Sequence, residues 1–189
     1  MIVAESASAA LGPWLSFYVM TASSAAALTG LMFVVITLVT GAERVRRAPD
    51  GISAFSTPTV VHFCAVLFVS AILCAPWRSL VGPAVLLGVA GLYGLAYVLR
   101  VMAITRRLSA YRPDLEDWAW YTILPLGAYA VIVMGAVLLP LLAVDALFAL
   151  ATGVMALIII GIRNSWDVVT FIAIKDPDEP PDPPSGSSG

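Results

Sequence analysis

The chain is short of charge. Asp, Glu, Lys and Arg together make up 12% of its 189 residues, about half the share of an ordinary soluble domain. A soluble fold of this size needs more charge to cover its surface, so an ordinary soluble enzyme and a disordered chain are both excluded. A basic excess is also missing. The formal net charge is −2, which leaves no positive field for phosphate backbones and argues against nucleic acid as a partner. Cysteine is scarce: Cys64 and Cys74 share one apolar run. On a helix they sit about 15 Å apart, too far to bond to each other. Histidine occurs once, as His62, which argues against an intrachain zinc site and excludes bis-histidine haem ligation within one chain. HExxH, GxSxG, P-loop and GxGxxG patterns are absent. Ser70 lies about 12 Å along a helix from His62 and makes a poor nucleophile–base pair. No cluster of carboxylates resembles a magnesium–phosphate site. No cofactor is expected, and an enzyme is the weaker class.

What the chain has instead is apolar sequence. Hydrophobic residues make up 60%, and the mean hydropathy is +0.95. Five apolar stretches are long enough to cross about 30 Å of hydrocarbon: residues 14–40, 58–77, 83–104, 118–139 and 146–174. The expected fold is all-α, a polytopic membrane protein with five transmembrane helices in one bundle spanning residues 1–175. The first dozen residues lack Lys and Arg, so the first span reads as retained rather than as a secretory signal. Residues 176–189 carry five of the thirteen prolines. They read as a disordered acidic tail, its final SGSSG a cloning remnant.

Helix ends carry chemical markers. Thr57-Pro58 and Gly82-Pro83 each suggest a helix start with proline in the first turn. Asp114, Glu116 and Asp117 place negative charge at the start of the fourth span, and Asp145 is a cap for the fifth. Pro125 falls inside the fourth span and predicts a kink. Arg44, Arg46 and Arg47 follow the first span, Arg106, Arg107 and Arg112 the third, and Lys175 the fifth, against Arg78 alone on the other side. By the positive-inside rule the N-terminus is outside and the C-terminus cytoplasmic, in the cell's inner (plasma) membrane. Trp14 and Trp77 fit as outer interfacial anchors, and Tyr111, Trp118 and Trp120 as inner ones.

Charged groups in hydrocarbon cost about 2.5–3.5 kcal/mol each on insertion scales, so charged and strongly polar residues within the spans are the informative ones. They are His62, Arg100, Arg163, Asn164 and Asp167. With the topology above, all five fall in one slab of the inner leaflet, with Thr37 and Thr40 close by. The expectation is a buried polar cluster, with Arg163 and Asp167 paired at i and i+4. It either locks helices together or forms an ion pathway. Arg100 and Arg163 can also snorkel to the headgroups. Small residues give a second pattern: Ser23, Ala27 and Gly30, continuing through Val34 and Thr37, on one face of the first span, and Gly88, Gly91 and Gly94 on the third. Such stripes let helices approach closely, either within the chain or between copies. A homo-oligomer is expected.

Two runs, FSTPTVVHF at residues 55–63 and GIRNSWDVVT at residues 161–170, resemble stretches of small multi-pass bacterial membrane proteins of no settled function. The resemblance covers most of the spans and implies no catalytic residue. The residues themselves point first to a small channel or transporter, for protons or small cations, with His62 and Asp167 as titratable or ion-contacting groups. An apolar outer half opposes a continuous polar path, although an apolar constriction can gate by dewetting. The alternative is a scaffold or regulatory subunit bound to another membrane protein. A further alternative is an intramembrane enzyme acting on lipid or quinone.

Overall fold

The computed structural model describes residues 7–40, 49–105 and 118–174. The basic loops, the acidic residues before the fourth span, Tyr111, Lys175 and the tail at 176–189 lie outside these described residues. Among the described residues there are helices and turns and no strands. A short α1 (Ala7–Leu11) and a 3-10 turn (Gly12–Trp14) lead into α2 (Leu15–Thr40). Then come α3 (Pro49–Cys74), α4 (Val81–Thr105), a π-helical turn (Ala119–Ile123) that runs into α5 (Leu124–Leu138), and α6 (Ala143–Ile174).

Four segments are long and apolar enough to cross a membrane: Ala7–Thr37, Val81–Ala103, Ala119–Leu138 and Ala143–Asp167. The remaining apolar segment, Pro58–Cys74, is shorter. It belongs to α3, which starts nine residues earlier than expected. Thr57-Pro58 is therefore no helix start. Pro58 sits inside the helix, where it cannot donate to the carbonyl of Ala54. The proline in the first helical position is Pro49, where a missing N–H costs nothing. Two further markers shift by a few residues. The start of α4 at Val81 is held by its N–H donating to the Ser79 hydroxyl, 3.3 Å, and Asp145 lies in the first turn of α6 rather than capping it. Pro125 meets a π-helical turn immediately before it, in which the Leu124 N–H reaches back to Ala119 O. A wider turn of this kind accommodates a residue that cannot donate.

The helices pack α2 on α3, α3 on α6, α6 on α5 and α5 on α4, with α3 also meeting α4. Sequence neighbours run antiparallel. Tyr18 near the start of α2 reaches Leu147 near the start of α6, while Thr21 meets Ser70 near the end of α3. Glycines set the closest approaches. A Cβ on Gly135 would come within 3.1 Å of Ala146 O, and one on Gly153 within 3.1 Å of Ala128 O. The α5 and α6 backbones therefore touch, which is how helices gain van der Waals contact in a medium with little hydrophobic drive. One end of the bundle is tied by Trp77, whose indole N–H donates to Ile72 O at 2.6 Å. Trp14 closes the same end against Phe148, ring centroids 4.7 Å apart.

Candidate functional site

The buried stripe of α6 runs through Leu147, Leu150, Val154, Leu157 and Gly161 to Asn164. Steps of three and four residues keep these positions on one face. Asn164 is thus the next member of an apolar stripe, and it is fully buried. On α3 the same periodicity aligns Thr59, His62, Phe63, Val66, Val69, Ser70 and Leu73, all buried. The two stripes meet where the Phe63 ring lies on Gly161. His62 precedes Phe63, and Asn164 follows Gly161 by one turn. The polar residues of both helices therefore lie at one level.

His62 is 1% exposed, and its Nδ1 forms a 3.0 Å hydrogen bond with the Tyr129 hydroxyl of α5. Gly94 positions that tyrosine: the Tyr129 ring occupies the space a Cβ at Gly94 would take. Asn164 differs from the other buried polar groups. Neither its amide nitrogen nor its amide oxygen has a hydrogen-bond partner. Buried amides are nearly always satisfied, because leaving one bare costs about 1–3 kcal/mol. At the edge of this layer Arg163 and Asp167 form an ion pair, each about one third exposed. The Arg163 guanidinium stands 5.8 Å from the Trp120 ring centroid, a cation–π distance.

Of the polar residues singled out in the sequence, the structure brings His62 and Asn164 into the interior and leaves Arg163 and Asp167 paired at its margin. Arg100 lies apart, its side chain exposed on α4. A long arginine side chain can carry its charge to the interface rather than bury it. Thr37 is exposed as well, its hydroxyl donating to Val34 O at 2.8 Å. The two small-residue stripes also part company. Gly91 and Gly94 are closed by Val133 and Tyr129 of α5, and Gly88 faces Ala136 of the same helix. Ser23, Ala27 and Gly30 are exposed, with nothing within 4 Å of a Cβ built on Gly30.

Sequence reasoning overlooked a second buried polar layer and the partner of His62. The Tyr18 hydroxyl donates to Leu147 O at 3.2 Å. Thr21 donates to Tyr18 O at 3.1 Å and meets the Ser70 hydroxyl at 3.0 Å, so Ser70 is the donor across the α2–α3 contact. His62 and Ser70 thus serve different partners and form no nucleophile–base pair. Hydroxyls and tyrosines cost little in hydropathy, so nothing in composition marks them. Only the buried α3 stripe, read through Ser70, could have found this layer. In a double-mutant cycle on Thr21→Val and Ser70→Ala, we expect a coupling of about 0.6 kcal/mol, typical of interhelical hydrogen bonds in a bilayer. Additive losses in a detergent unfolding titration would contradict that bond.

Comparison with known protein families, with characterised proteins and with solved structures finds no match to this chain. The geometry of the two layers therefore carries the functional reading. Among the described residues no group of His, Cys, Asp and Glu could hold a metal ion.

Proposed function

We propose that the chain is a small membrane channel or transporter with its polar contact layer at His62, Tyr129 and Asn164. Protons and small cations are the species the sequence favours first. One observation carries the reading: a fully buried Asn164 whose amide bonds to nothing in the protein, level with a hydrogen-bonded histidine. A group of that kind suits a partner that comes and goes better than helix packing, which would satisfy the amide within the chain.

The same proposal includes five spans in the cell's inner membrane. The 26 residues of α3 rise about 39 Å as a helix. The helix lies antiparallel beside α2, itself part of a membrane-length segment, which supports counting α3 as a crossing. The arginine-rich segments after the first and third spans support an N-terminus outside and a C-terminus in the cytoplasm. The outward face at Ser23, Ala27 and Gly30 favours association, either of copies of this chain or with a membrane protein that this chain scaffolds.

The test is flux into liposomes carrying the purified full chain, for protons, potassium and small neutral solutes, beside His62→Ala and Asp167→Asn. We expect flux above empty liposomes, lost in folded His62→Ala. Normal incorporation with no flux of any species would remove the transport reading and leave the scaffold reading.

A further inference from the structure

The transport reading, on which this inference rests, leaves the class of permeant to be decided, and the buried side chains bear on it. A cation stripped of water inside a bundle needs an unpaired negative group or a ring of several carbonyl oxygens. An anion needs an unpaired positive group. The interior supplies neither among the described residues. Its buried polar side chains are Thr21, Thr59, His62, Ser70 and Asn164, with the hydroxyls of Tyr18 and Tyr129. Only His62 can carry charge, and it faces the neutral hydroxyl of Tyr129 from α5. On α6 the charged residues near Asn164 are Arg163 and Asp167, which neutralise each other.

The Asn164 amide offers two donor hydrogens and an acceptor oxygen, none of them used within the chain. That combination complements a small molecule that both donates and accepts hydrogen bonds. Beyond it lies an apolar belt built from Val66, Leu150, Val154 and Leu157. An apolar interior of this kind penalises a neutral polar molecule far less than a charge. About 12 Å along α3 from His62, the hydroxyls of Thr21 and Ser70 form the next polar layer. Both layers are built from hydrogen-bonding groups, and of these only His62 can take up a charge.

We infer that the layer at His62, Tyr129 and Asn164 binds a small uncharged solute bearing both donors and acceptors, the class of urea and short polyols, in place of the cations first expected. The experiment uses the full chain in liposomes. Light scattering follows shrinkage and re-swelling under urea and glycerol gradients, while fluorescent dyes follow potassium and proton entry in the same preparation. Urea or glycerol should enter faster than in empty liposomes, with no cation leak. Asn164→Leu removes the hydrogen bonds to the solute and should slow its entry about tenfold or more. Asn164→Asp, of the same shape but charged, should slow it as well. Where Asn164→Leu does not incorporate, Asn164→Ala carries the same comparison. Solute entry unchanged in these variants would overturn the site. Potassium or proton flux that depends on His62, without solute flux, would overturn the solute class and leave the transport reading standing. Silence for every species would overturn both.

Discussion

Asn164→Leu should make the protein more stable while depriving it of the proposed transport. The two side chains have the same number of heavy atoms and the same branching, so the α6 stripe gains an apolar residue where it now carries an amide without a partner. Relieving an unsatisfied buried amide is worth about 1–3 kcal/mol in proteins. Unfolding in mixed detergent micelles should therefore need more denaturing detergent for the variant than for the parent, while solute entry into liposomes falls. The pairing of the two results matters. A polar group that serves helix packing is hydrogen-bonded, and its loss destabilises. A polar group retained for a ligand is a cost to the fold, of the kind proteins tolerate at functional sites. If Asn164→Leu unfolds more easily than the parent, Asn164 is structural and the transport site falls with it.

The second large effect is expected at Gly94. A methyl group there would overlap the Tyr129 ring at atoms that include Cγ, next to its own backbone, so a flip of the ring does not relieve the overlap. Either α4 and α5 separate or Tyr129 swings away. Overpacking of this kind costs about 1–3 kcal/mol, and a displaced Tyr129 would release its hydroxyl from His62. Gly94→Ala should therefore destabilise the bundle and weaken the proposed transport together. Gly30→Ala is the matched comparison. Nothing lies within 4 Å of that Cβ, and alanine is the better helix former, so the fold should be unchanged or gain up to about 1 kcal/mol. A shift in oligomer size on Gly30→Ala would locate a contact between copies on that face. Equal behaviour of the two variants in unfolding titrations would contradict the α4–α5 packing described above.

These two glycines show what was legible beforehand. Both belong to small-residue stripes at helical spacing, and both stripes are plain in the sequence. Nothing in either says which faces a neighbouring helix. The polar layer behaves alike. His62 and Asn164 continue the apolar stripes of α3 and α6, so their burial follows from periodicity. Tyr129 is the one aromatic residue of α5, but nothing in the sequence gives it a partner, and its role follows only from Gly94 beside it and His62 across from it. Pro58 misled for a local reason: the rule placing proline in a first turn describes a preference, and in α3 the helix starts at Pro49 and continues through Pro58.

The sequence by itself determined an all-helical chain with segments of membrane length, the periodicity of each buried stripe, and the i to i+4 pairing of Arg163 with Asp167. The tertiary structure alone decided that the Gly94 stripe is closed by α5 while the Gly30 stripe is open. It also decided that Arg100 stands outside the polar layer, and that Asn164 is left without a partner. The physical reason is common to all three. Helical periodicity fixes the direction of a side chain about its own axis, but in a chain this apolar the faces toward lipid and toward neighbouring helices have the same hydropathy. Which face meets which helix is settled by the close approach of backbones at glycines and by hydrogen bonds between helices, and those exist only once the bundle has assembled.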